Sequence, residues 1–131
     1  MLAPITSLYA ALLGLLIFLL AFRITRIRRR EQIGSGSGGN AALRCAIRAH
    51  GNAVEYIPIA LLLLLCLELN AGAHWLLYTA GSVLVAARLL HAWGLSHSTG
   101  ISFGRFTGTA LTWLVITVLA ALNIARLLPD V

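Results

Sequence analysis

A chain of 131 residues fits one domain, and its make-up excludes a soluble one: 60% of residues are hydrophobic, 11% are charged and the mean hydropathy is +0.90. The net charge of +6 comes from ten arginines and no lysine, set against Glu31, Glu55, Glu68 and Asp130. These arginines lie inside apolar runs or at their ends, so a membrane-topology signal accounts for them and nucleic acid does not.

Residues 2–22 are almost wholly apolar and long enough to cross a hydrocarbon layer of about 30 Å. Arg23, Arg26, Arg28, Arg29 and Arg30 follow this run instead of preceding it, which predicts a retained membrane helix and not a cleaved leader. Ile33 to Asn40 is a Gly/Ser linker, with no preceding strand and no following Gly-Lys-Ser/Thr to make it a phosphate loop. Asn40 is placed to cap the next helix, in which Pro58 predicts a kink. Asn70-Ala71-Gly72 is a tight turn between antiparallel helices, and His97 to Gly100 forms the next loop. The expectation is an all-α membrane protein, a bundle of four transmembrane helices at about 3–30, 41–70, 73–97 and 102–128, in a single domain over 1–131.

The arginine-rich first loop sets the orientation. It lies in the cytoplasm, the third loop joins it there, and both termini face the periplasm. Arg44, Arg48, Asn52 and Glu55 fall within about 80° of one another on a helix, a stripe roughly 16 Å long. Ionisable groups inside a bilayer cost about 2.5–3.5 kcal/mol each, so the stripe faces protein or a wet cavity. Arg88 and His91 share a face of the third helix, and Arg105 lies in the first turn of the fourth. With Arg26, Arg48 and Asn52 they all approach the cytoplasmic half, which predicts one polar pocket fed by four helices.

Arginine forks match carboxylates, so the pocket suits a small zwitterion with more than one carboxylate. Glu55 then either receives the ligand ammonium or acts as counter-ion to Arg48 or Arg88. A thiol on the ligand would be drawn towards thiolate by a nearby arginine. Lipid head groups are the other natural guests of a basic pocket, and interhelical ion pairs fixing assembly are the plainer reading. Cys45 and Cys66 lie about 31 Å apart along one helix, beyond bridging, and read as packing residues. His50, His74, His91 and His97 follow no metal-ligand spacing, so no metal is expected. His50 reads as a packing or interface residue, Trp75, Trp93 and Trp113 as belt or bundle residues, and Glu68 as solvated near the outer end.

The run Ile47-Arg48-Ala49-His50-Gly51-Asn52-Ala53-Val54-Glu55-Tyr56-Ile57-Pro58-Ile59 resembles the signature of the MAPEG family, membrane-associated proteins in eicosanoid and glutathione metabolism. It is most similar to the small bacterial inner-membrane branch. The likeness extends over the chain, through Gly81-Ser82-Val83-Leu84-Val85-Ala86-Ala87-Arg88-Leu89-Leu90-His91 in the third helix. The resemblance implies a multi-pass protein of the bacterial inner membrane, a homotrimer with glutathione as co-substrate between neighbouring subunits, facing the cytoplasm. It implies glutathione binding by Arg26, Arg48, Asn52, Glu55, Arg88 and His91, with Glu55 towards the ligand ammonium and Arg105 stabilising the thiolate. Where the eicosanoid enzymes carry an arginine, a tyrosine and, in one branch, a serine, this chain has Gly51, Leu95 and Phe106.

Two functions follow from these residues. One is a membrane-bound glutathione transferase or peroxidase acting on hydrophobic electrophiles that arrive through the lipid. The other is a non-catalytic trimeric module whose basic pocket holds lipid or a partner.

Overall fold

The computed structural model describes residues 2–97 and 102–127, except for the side chains of 95–97. Four helices make up the bundle: α1 (Pro4–Glu31), α2 (Ala41–Leu69), α3 (His74–His97) and α4 (Phe103–Leu127). Each contains a stretch long and apolar enough to cross a membrane. These bounds lie within a residue or two of those read from hydropathy and turn residues. Leu128 and Ser98 to Gly100, assigned above to the fourth helix and third loop, lie outside the described residues.

The helix ends follow from local chemistry. Asn40 caps α2, its Oδ1 accepting from the Leu43 amide at 2.9 Å, as the sequence predicts. α1 ends on Gln32 in the left-handed region, its amide returning to the Arg28 carbonyl. The α2–α3 turn needs Ala71 at φ 54° and a Gly72 amide bonded to the Leu67 carbonyl at 2.8 Å. A Cβ on Gly72 would fall 2.7 Å from that same carbonyl oxygen, so the turn closes on glycine. α2 runs through Pro58 as one helix, with the proline ring exposed.

α2 and α3 form the middle of the bundle. α1 packs on both, α4 packs on both, and among the described residues α1 and α4 do not touch. The core face of α2 is Ala46, Ala49, Ala53, Ile57, Ala60, Leu64 and Leu67, at helical spacing. Its alanines let neighbouring backbones come close, the usual device for helix association in lipid.

α1 is held to the bundle near its N-terminal end in two ways. The Tyr9 ring lies on Gly81, where a Cβ would meet ring atoms at 2.2 Å. The Tyr9 hydroxyl donates to the Tyr78 carbonyl at 2.8 Å and lies 2.8 Å from Ser82 Oγ. Glu68 provides the second tie and corrects its reading as a solvated residue. Its two carboxylate oxygens accept from the Ile5 and Thr6 amides at 2.8 and 2.7 Å. α1 begins at Pro4 with no side-chain cap of its own, so its first free amides are satisfied from α2.

Candidate functional site

The site begins with a close approach of α3 and α4. Gly104 and Gly108 stand one turn apart on α4, and a Cβ at either would lie within 2.8 Å of an α3 carbonyl, from Leu90 and Ala87 respectively. Gly94 does the same from the α3 side, against the Arg105 amide. This small-x-x-x-small contact seats α4 backbone to backbone on α3. Ser102 joins the same ends: its hydroxyl donates to the Gly94 carbonyl at 3.3 Å and faces the Arg105 amide at 3.4 Å. Arg105 is thereby placed beside His91.

Between α2, α3 and α4 opens a cleft of about 560 Å³, lined by Arg48, Asn52, His91, Arg105, Phe106, Thr109, Ala110 and Trp113. Its polar part comes from Arg48 and Asn52 of α2, His91 of α3, and Arg105 and Thr109 of α4. Its apolar part is the flank of α4 carrying Phe106, Ala110 and Trp113, with the Trp113 ring 6.5 Å from that of Tyr56. The cleft therefore accepts a polar head against its guanidinium, amide and imidazole groups and an apolar body against α4.

Four of the seven residues singled out from the sequence meet here: Arg48, Asn52, His91 and Arg105. Arg88 lies behind them, only 1% exposed, its Nη2 donating to Asn52 Oδ1 at 2.9 Å and standing 3.4 Å from His91 Nδ1. It supports the cleft from beneath and does not line it. Arg26 and Glu55 are exposed on the bundle surface and do not line the cleft, so the expected convergence of all these groups on one pocket does not occur within a single chain. Among the described residues Glu55 pairs with neither Arg48 nor Arg88: it is exposed on the bundle surface, whereas Arg88 is sealed inside.

The Arg48–Asn52–Glu55 stripe continues along the outside of α2 as Ile59, Leu62, Cys66 and Leu69, in steps alternating four and three. Asn52 is half-buried and the other six are exposed. Such steps are the spacing of a seam along which one helix can pack on another. Cys66, read above as packing, lies exposed in this seam, and Cys45 is half-buried; both are free thiols. His50 is half-buried, and Trp75, Trp93 and Trp113 are exposed on the bundle surface. Among the described residues no cluster of three His, Cys, Asp or Glu side chains is placed to hold a metal ion. The Leu95 side chain lies outside the described residues.

The sequence reading missed the part that four residues play here. Gly104 and Gly108 carried a visible small-x-x-x-small signal, whereas Thr109 and Trp113 carried none apart from their place on the face of α4 next to Arg105.

A four-helix membrane bundle with this α2 signature is matched by the model of the MAPEG family over residues 6–125, and the chain belongs to that family. It is 38% identical over 120 residues to the inner membrane protein YecN of Escherichia coli strain K12, covering 92% of this chain and 90% of that one. The protein of the same name from Escherichia coli O6:H1 strain CFT073 matches to the same extent. With its four apolar spans, the chain is a multi-pass inner membrane protein.

Proposed function

We propose that this protein is a glutathione-dependent transferase or peroxidase acting on hydrophobic electrophiles, with glutathione held between subunits of a homotrimer near the cytoplasmic side. The observation that carries this reading is the two-sided cleft, whose arginine, amide and imidazole end adjoins an apolar wall on a membrane-spanning helix. Arg48 offers a fork to a glutathione carboxylate, and Asn52 and His91 offer hydrogen bonds. Arg105, charged at any working pH, stands as a fixed positive centre for a developing thiolate. The electrophile enters from the lipid along Phe106, Ala110 and Trp113. Holding both reactants in one cleft supplies the proximity such a transfer needs.

The outward seam of α2 supports self-association. In a parallel trimer it brings Glu55 and Arg26 to the rim of a neighbour's cleft, where Glu55, outside the cleft itself, receives the glutathione ammonium. The arginine-rich end of α1 puts the Gly/Ser loop in the cytoplasm and both termini in the periplasm. A reporter fused after Val131 is then active in the periplasmic format and silent in the cytoplasmic one; the reverse would overturn this orientation.

Arg105→Leu tests the chemistry. Conjugation of glutathione to a hydrophobic electrophile should fall by about 2.7–4 kcal/mol in the transition state, with glutathione affinity little changed. An unchanged rate removes Arg105 from the mechanism. Wild-type protein that binds glutathione but conjugates none of a panel of such electrophiles is instead a non-catalytic module.

A further inference from the structure

Arg88 is the largest side chain sealed in the bundle, and its place there is unlike that of the other cleft cations. It makes no ion pair with a carboxylate among the described residues, and its Nε and Nη1 are buried without a hydrogen-bond partner. The one nitrogen that is engaged, Nη2, reaches two residues that line the cleft, Asn52 and His91. Tyr56 faces the same guanidinium from α2, and Arg105 faces His91 from α4.

A guanidinium has five N–H donors and no acceptor. Both groups that meet Nη2 must therefore present lone pairs to it. For Asn52 this turns Oδ1 inward and leaves Nδ2, with its two hydrogens, for the cleft. For His91 it makes Nδ1 the bare nitrogen and places the ring proton on Nε2.

We infer that Arg88 is a positioning residue that fixes the Asn52 amide and the His91 tautomer so that both offer hydrogen-bond donors to the cleft. Together with the guanidinium groups of Arg48 and Arg105, this lines the polar part of the cleft mainly with donors, the Thr109 hydroxyl able to give or accept, and with no carboxylate. The part of a ligand that enters there is consequently an oxyanion, a carboxylate by size and geometry, and an ammonium group is turned away. This deepens the glutathione reading and rests on it for the ligand's identity. It assigns the carboxylates of the peptide to this end and leaves its ammonium for Glu55 outside the cleft.

Two measurements on the purified full-length protein test the assignment. Proton–nitrogen correlation spectra of the imidazole groups, with His91 identified by its loss in His91→Phe, should show a bare Nδ1 and a protonated Nε2 in the wild type. In Arg88→Met the Nδ1-protonated form should appear. A protonated Nδ1 in the wild type, or an unchanged tautomer in a folded Arg88→Met variant, would overturn the proposal; should that variant not fold, Arg88→Gln supplies the comparison. Calorimetric titration with glutathione and with its diester, both carboxylates masked, gives the second readout. Wild type should favour the free acid by about tenfold or more, and Arg88→Gln should lose most of that preference while keeping its unfolding midpoint. Equal binding of acid and diester by the wild type would also overturn it. Binding of neither form would defeat the glutathione reading, and the imidazole spectra would still settle the role of Arg88.

Discussion

At the end of the bundle where α2 turns into α3, polar side chains close on backbone within the subunit, whereas at the end bearing the Gly/Ser loop charged groups turn outward. At the first end Glu68 accepts from α1, Arg126 donates to the carbonyls of Asn70 and Ala71, and Asn123 Nδ2 donates to the Leu63 carbonyl at 3.0 Å and the Leu119 carbonyl at 2.8 Å. At the second end Arg26, Arg44 and Arg48 are exposed, and so is Glu55, midway along α2. Hydrogen-bonded polar groups bring little loss on burial, while a carboxylate on a membrane helix must meet protein or water. One end is thus closed by contacts within the chain. The other leaves its charged groups exposed, which is why the proposed binding function is placed there.

This contrast can be broken by substitution. The largest effect is expected where both ends depend on one contact, at the α3–α4 seat. Gly108→Leu drives a side chain into the Ala87 carbonyl and should cost about 3 kcal/mol of stability, seen as a lowered unfolding midpoint in detergent, together with loss of glutathione binding. A smaller loss is expected at the closed end alone. Glu68→Ala leaves the Ile5 and Thr6 amides without their acceptor and should cost about 2 kcal/mol, with glutathione affinity intact. Weaker ligand binding in that variant would mean that the ends are coupled. The smallest effect on stability belongs to the open end: Glu55→Gln should shift it by less than about 0.5 kcal/mol while weakening glutathione about tenfold. If Glu55→Gln instead dissociates in mild detergent, the carboxylate holds an assembly contact and not a ligand.

The closed and open ends were unequally legible in the sequence. Hydropathy, the arginine run, the Gly/Ser linker and the Asn40 cap fix the four helices, because each signal acts within a few residues. The stripe of Arg48, Asn52 and Glu55 is equally plain from helical spacing. Spacing does not say whether a polar stripe faces its own bundle or a neighbour, so it cannot show that Glu55 and Arg26 stand outside the cleft of their own chain. Glu68 was misread for a different reason: its partners are backbone amides of another helix, and backbone leaves no mark in a sequence. Arg88 and His91 share a helix face and were read together, but which of them would line the cleft depended on how closely α4 approaches, through Gly104 and Gly108.

The contacts that secure α1 also bear on how the protein is made. Its ties to Glu68, Tyr78 and Ser82 span 62 to 73 residues of chain. At about 5–20 residues per second of synthesis, α1 emerges roughly 3–15 s before the last of these partners exists. During that interval the first amides of α1 have no acceptor from Glu68, and its Tyr9 has no Gly81 to rest on. α1 is thus a helix that must wait for its ties, and a ribosome stalled before Glu68 would leave it inserted without any of them.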